Sequence, residues 1–264
     1  MSHPAHTGGR TSSSWGSGTK QILFLTATIA PKAGTFLLAR ADADLRRRDY
    51  LEAFRFYADV VRRHPDYLLV MMENSDSDLA DFHAIAGMYG ISDRTELISY
   101  QADDDPGMNR LCLEGALILE ALARSRFLQE SDARIWKVTG RYIISNIAAL
   151  VQKQPKQFDL YLNLRSRPTE ALDFYVAGFT RNGLEQCIRR IWVRLQGHGT
   201  GETVLRQALL DGEFCDLVVV PRLRVVPYIK GRRGFDNRKY NGMTQTVKYW
   251  VRVVANAVAP RLWI

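Results

Sequence analysis

The stretch WKVTGRYIISN, residues 136–146, reads as a strand closed by a Thr-Gly break, yet it carries Lys137 inside the apolar run and Arg141 just past the break. One reading is that both cations face a phosphate. The fork of an arginine binds two phosphate oxygens at once, and a strand-end glycine, here Gly140, lets backbone come close to a ligand. The nearby helix start and Asn146 add polar groups. The other reading has Lys137 snorkelling from a sheet edge and Arg141 paired with a surface carboxylate.

Four more groups carry chemistry. In ENSDSD (73–78), Glu73 ends a strand, where it can accept hydrogen bonds from the ribose or base of a nucleotide; the same residues also suit an Asx-type turn and helix cap. GMNRLCLEG (107–115) sets Glu114 on an otherwise apolar helix, facing either solvent or a cleft. GHGTGETVL holds His198 and Glu202; Glu202 opens a helix, where a carboxylate is stabilised, and a glycine loop exposes it for general-base work. YIKGRRGFDNRKY (228–240) is either a solvated basic loop or a clamp closing over phosphate. No metal site is expected. The run DDDP (103–106) is a turn whose aspartates diverge, and EF-hand spacing is absent.

The elements that must position these groups follow from periodicity. QILFLTAT (21–28) and YLLVMM (67–72) are short apolar runs of the kind buried on both faces of a parallel sheet. Residues 43–64 carry apolar groups at Leu51, Phe54, Ala58 and Val61, one face of a helix, with Pro65 just beyond. A short helix near 78–88, a strand at ELISY, a helix over 108–128 and the strand RIWKV complete a β-α-β-α-β-α-β order. That order predicts an α/β fold: a Rossmann-type, mostly parallel sheet flanked by helices, in a single domain with a basic C-terminal extension. Ligands of such sheets sit outside the carboxyl ends of the strands. Further on, QFDLYLNL and ALDFYVAGF read as strands and 184–196 and 202–212 as helices, while FCDLVVVP fits either type.

Residues 1–19 read as a disordered leader without an apolar signal region, 20–242 as the folded domain and 243–264 as an amphipathic tail. A net charge of +8 favours an anionic partner: nucleic acid, a phosphorylated small molecule or an anionic membrane face. The three scattered cysteines, Cys112, Cys187 and Cys215, argue against a disulfide framework or zinc site and suit a reducing compartment.

The order of motifs resembles a group of bacterial glycosyltransferases of surface polysaccharide (capsule or lipopolysaccharide) biosynthesis with a GT-A-like fold. The resemblance spans roughly residues 21–245 and rests on Arg47 with Tyr50, ENS at 73–75, GMNRLCLEG, KVTGRY with Asn146, GETVL and KGRRGFDNRKY. It implies transfer of a sugar from a nucleotide-sugar donor to a glycan or lipid-linked acceptor. It also sets the TGRY segment where many such enzymes carry an Asp-x-Asp metal motif, so that Lys137 and Arg141 would neutralise the donor diphosphate without Mg or Mn. By the same resemblance the donor site comprises Thr26, Arg47, Tyr50, Glu73, Asn74, Ser75, Lys137, Thr139, Gly140, Arg141, Arg232, Arg233 and Tyr240. Glu202 would be the base of an inverting transfer, and Glu114, Tyr142, Asn146 and His198 would contact or support the acceptor. The expected setting is cytoplasmic, with peripheral contact at an anionic inner membrane; a nucleic-acid partner is not favoured. The alternatives are a non-catalytic nucleic-acid or phosphate-binding module, or a degenerate scaffold of the same family. This chain departs from the pattern in its glycine-poor GMNRLCLEG turn and in Arg232 and Arg233, where small residues are common.

Overall fold

The computed structural model describes residues 18–35, 38–103, 108, 110–165, 170–195, 201–234, 236–240 and 243–258. His198 and nearly all of the leader lie outside the described residues. The first half runs β1 (Gln21–Ala27), α1 (Ala43–Arg63), β2 (Tyr67–Glu73), α2 (Ala80–Met88), β3 (Thr95–Ser99), α3 (Arg110–Arg124) and β4 (Arg134–Thr139). Then come β5 (Ile143–Ile144), α4 (Ile147–Gln152), β6 (Leu160–Tyr161), β7 (Leu164–Arg165), β8 (Ala171–Leu172) and β9 (Val176–Phe179). The chain continues with α5 (Arg181–Leu195), α6 (Gly201–Leu210), β10 (Val219–Val220), β11 (Ile229–Lys230) and α7 (Met243–Val258).

Seven strands form one sheet in the order β10-β6-β9-β4-β1-β2-β3. All neighbouring pairs are parallel except those of β9, which is antiparallel to both β4 and β6. The expected α/β class is the one found. β1 and β2 are buried along their whole length because both faces are covered. Ile22 and Phe24 join a core with α3, α5 and α6, while Leu23 and Leu25 join a second core with α1, α2 and α4. A strand buried on both faces has no polar positions to alternate, which is why these segments read as continuous apolar runs.

The second half is more broken than its sequence suggests. QFDLYLNL yields two-residue strands in two different sheets, and ALDFYVAGF is likewise divided between β8 and β9. FCDLVVVP resolves as a turn followed by β10.

Three local devices position the site. Asp42 caps α1 by accepting from the Leu45 amide at 2.8 Å. The buried face of α1 then runs through Arg46, Tyr50, Phe54, Tyr57 and Val61. Tyr57 donates its hydroxyl proton to the Tyr142 carbonyl (2.7 Å) and accepts from the Ile144 amide (2.9 Å), tying the segment after β4 to the helix. Gly140 lies so close to β1 that an added Cβ would stand 2.8 Å from the Thr26 carbonyl oxygen. The close approach anticipated at this glycine is therefore made by the chain itself. Gly140→Ala is expected to lower unfolding stability by about 1–3 kcal/mol, read as a fall in urea midpoint at unchanged m-value; an unchanged midpoint would contradict this packing.

Candidate anion site at the carboxyl ends of β1 and β4

Two buried arginines lie within electrostatic reach of one another beyond the carboxyl ends of these adjacent parallel strands. Arg46, 5% exposed, donates from Nε to the Thr28 carbonyl (2.7 Å), from Nη1 to the Arg40 carbonyl (3.2 Å) and from Nη2 to the Tyr50 hydroxyl (3.2 Å). Arg141, 9% exposed, donates from Nη1 to the Arg232 carbonyl (3.3 Å) and from Nη2 to the Tyr142 hydroxyl (3.1 Å), with its guanidinium over the Tyr142 ring. Among the described residues neither has a carboxylate within ion-pair distance. Burial pushes the pKa of Arg46 down, and the charge on Arg141 adds to that depression against the pull of Tyr50 and Asp49. Two desolvated like charges, with only neutral acceptors among the described residues, leave a local excess of positive charge that would favour an anion.

Described residues of the basic segment 228–240 pack against Arg141. β11 pairs antiparallel with β5, just past Arg141. Asn146 fixes the approach, donating to the Val226 carbonyl (2.9 Å) and accepting from the Tyr228 amide (2.8 Å), so its role here is support. Gly234 sits on the guanidinium: an added Cβ would lie 2.7 Å from Arg141 Nη2. The Gly234 carbonyl accepts from the Arg40 amide at 3.0 Å, and Arg40 also binds Asn237 and Asp49. Tyr240 meets Tyr142 edge-on at 5.2 Å and lies under the Arg233 guanidinium. Burial raises its hydroxyl pKa, and Tyr142 raises it further. Arg232 reaches the Asn237 carbonyl, and Arg233 pairs with Asp236 at 3.6 Å.

Lys137 turns elsewhere. Its ammonium is fully buried, paired with Glu114 Oε1 at 2.7 Å, donating to the Phe174 carbonyl at 2.6 Å and to Thr139 Oγ1 at 3.4 Å. Thr26 donates to the same Glu114 oxygen at 2.6 Å. The expected phosphate partner is thus a buried cation whose charge is met by a carboxylate from α3. Desolvation lowers its pKa, with Glu114 and, further away, Glu202 opposing. Glu114 is 23% exposed, and its Oε2 has no bond among the described residues. Glu202 is exposed in the first turn of α6. Gly201 brings it to this neighbourhood, packing against Leu111 in the first turn of α3, where any side chain would collide.

Other expected donor contacts stand apart. Arg47 points to α2, pairing with Asp81 at 3.0 Å and donating to the Asp78 carbonyl. Glu73 is fully buried, and both of its oxygens are taken: the amides of Ile29, Ser75 and Ser77 and the hydroxyls of Ser75 and Ser99 all donate to it. With about four lone pairs on a carboxylate, none remains for a ribose. Asn74 accepts from the Thr28 hydroxyl (2.7 Å), and Ser75 accepts from the Ala30 amide (2.9 Å). These three residues shape the loop after β1, which borders an open depression of about 610 Å³ lined by Pro31, Lys32, Gly34, Thr35, Leu38 and Ala41. Tyr50 accepts from the Thr28 amide at 3.0 Å.

Two residues were missed by sequence reasoning. Arg46 shares the spacing of Tyr50 and Tyr57, and that register is the signal that separates it from Arg47. Asp173, 5% exposed, accepts from Arg165 (2.8 Å), Asn163 (2.9 Å) and the Tyr175 hydroxyl (3.1 Å). Burial raises its pKa, with Arg165 and Arg252 opposing. It stands out in ALDFYVAGF as the one acid in an apolar run, as Lys137 does in RIWKV. Among the described residues, no three His, Cys, Asp or Glu side chains are grouped to hold a metal ion. No helix there is long and apolar enough to cross a membrane.

No protein-family model and no curated protein sequence matches this chain. Similar solved structures include one from Desulfovibrio desulfuricans G20 assigned to the nucleotide-diphospho-sugar transferases: 14% identity, 94% of this chain and 100% of that chain, TM-score 0.44. Another is the glycosyltransferase GlyE of Streptococcus pneumoniae TIGR4, at 9% identity, 73% of this chain but 43% of that one, TM-score 0.45. A third is the galactosyltransferase LgtC in complex with donor and acceptor sugar analogs, at 11% identity, 72% and 70% coverage, TM-score 0.41. Likeness at this level carries no residue roles from those proteins to this chain.

Proposed function

We propose that the chain is a glycosyltransferase that moves a sugar from a nucleotide-sugar donor to a glycan or lipid-linked acceptor in bacterial surface polysaccharide synthesis. The reading is supported by two buried arginines, Arg46 and Arg141, with no carboxylate at ion-pair distance among the described residues, at the end of a parallel sheet where such folds bind ligands. Segment 231–240 lifts to admit the donor and closes on its diphosphate, with Arg232, Arg233 and Tyr240 completing the enclosure. Stabilising the charge that develops on the leaving nucleoside diphosphate is then the work of the guanidinium groups, with no divalent ion required.

A carboxylate must take the acceptor hydroxyl's proton. Glu202, exposed at the start of α6 and within electrostatic reach of Lys137, is the proposed base of an inverting transfer. One specific observation favours a second assignment: Glu114 is held through Oε1 by Lys137 and Thr26, which leaves Oε2 fixed in place. A base benefits from such preorganisation. The test is nucleoside diphosphate release from a panel of nucleotide sugars, with and without EDTA. Turnover with one donor, unaffected by EDTA and reduced about 100-fold or more by Glu202→Gln, supports the reading. Full turnover in Glu202→Gln moves the base to Glu114. Nucleotide binding without turnover for any donor and acceptor turns the reading into that of a binding module.

A further inference from the structure

Helix α7 presents an apolar stripe to solvent. Val247, Trp250, Val251, Val254 and Val258 fall within one side of the helix and are 58%, 60%, 54%, 57% and 75% exposed. Their spacing of three, four and seven residues keeps them aligned along the axis. The opposite side holds the helix to the body: Tyr249 packs on Tyr228 at 4.6 Å, Asn256 donates to the Arg224 carbonyl at 3.1 Å, and Arg252 faces the buried Asp173. The stripe is therefore a face left over after the helix has docked.

Charge identifies what covers it. α7 contains Lys248 and Arg252 and no acidic residue. The segment before it, 221–240, has seven Lys or Arg against one Asp, and residues 259–264 add Arg261, Leu262, Trp263 and Ile264 without an acid. Pairing the stripe with that of a second copy would bring the two Lys248 side chains together with no acidic residue on either helix, Arg252 being turned to Asp173. An anionic lipid surface supplies that charge, and Trp250 suits the headgroup level. We propose that α7 is an in-plane docking helix for an anionic membrane, its valine–tryptophan stripe seated at the boundary between headgroups and acyl chains. The inference is independent of the transferase reading, since vesicle binding requires no donor or acceptor.

The test is co-sedimentation of the full chain with phosphatidylcholine vesicles, with and without phosphatidylglycerol, at low and high salt. Binding is expected only with phosphatidylglycerol and is expected to weaken with salt. Trp250→Glu combined with Val254→Glu is expected to lower the bound fraction by about tenfold or more, and Lys248→Glu to lower it less. All three side chains are exposed, so circular dichroism and melting temperature stay as in the parent chain. Failure of the parent chain to bind any vesicle overturns the proposal. So does a dimer in sedimentation velocity that the paired glutamate substitutions dissociate, because the stripe's occupant is then a second copy.

Discussion

Arg141→Met is expected to weaken nucleotide binding by about tenfold or more while leaving the fold about as stable as before. A guanidinium making charge-assisted bonds to a diphosphate contributes about 1.5–3 kcal/mol, so its loss raises Kd for a nucleoside diphosphate by about 10- to 150-fold. The effect on stability runs the other way. Arg46 and Arg141 repel one another across a desolvated space, and Arg141 is one of the causes that hold the pKa of Arg46 down. Removing one charge relieves that repulsion, and methionine keeps much of the packing over Tyr142. Against this stand two neutral acceptors, the Arg232 carbonyl and the Tyr142 hydroxyl, which lose their donor at about 1 kcal/mol each. A cost in the empty protein that is offset on binding is what a ligand site would show. Arg46→Met should behave alike, and the pair should be strongly non-additive. Calorimetric titration and thermal melts read both halves. Undiminished nucleotide affinity in Arg141→Met would mean that the guanidinium has another task.

Glu114→Gln is expected to destabilise the protein by about 3 kcal/mol, because it leaves the fully buried Lys137 ammonium without a counter-charge. The loss should depend on pH with a definite sign. The folded-state pKa of Lys137 already lies below its ordinary 10.5 through desolvation, and removing Glu114 lowers it further. Between that depressed value and 10.5 the unfolded chain binds more protons than the folded one, so stability rises with pH across this window. The deficit of Glu114→Gln should therefore shrink as pH increases, and urea midpoints measured from about pH 7 to about pH 10 would show it. Replacing both partners, as Glu114→Leu with Lys137→Met, should recover most of the loss. A deficit that stays constant with pH would show that the variant's loss does not come from Lys137 carrying its proton.

The sheet was legible because burial on both faces leaves a direct mark on composition, as in QILFLTA and YLLVMME. The anomaly of Lys137 was legible too, since a cation in an apolar run stands out. Its partner was not: Glu114 lies on another element, and only the packing of α3 against β1 and β2 brings its carboxylate to Thr26 and Lys137. Arg46 and Arg47 differ by one position, yet a helix turns them about 100° apart, so one faces β1 and the other α2. The heptad-like spacing of Arg46 with Tyr50, Ala53 and Tyr57 could have separated them. Glu73 was correctly placed at a strand end, and the turn reading of ENSDSD accounts for its donors at Ser75 and Ser77, but those from Ile29 and from Ser99 at the end of β3 come from elements that no local pattern connects to it. Glycines misled in one direction. Gly140 read as an opening for a ligand and the glycines before Glu202 as a loop that exposes it, yet Gly140 and Gly201 are both places where elements of this chain meet closely.

The arginine pair is proposed to receive the diphosphate of a nucleotide. The most direct measurement is a thermal-shift titration of the parent chain with the common nucleoside diphosphates, each with and without EDTA, beside inorganic pyrophosphate and a monophosphate. A ligand that binds only the folded state raises the melting temperature by mass action. A concentration-dependent rise with one nucleoside diphosphate is expected, unchanged by EDTA and shifted to at least about tenfold higher concentration in Arg141→Met. Equal shifts with every polyanion, undiminished in Arg141→Met, would contradict it.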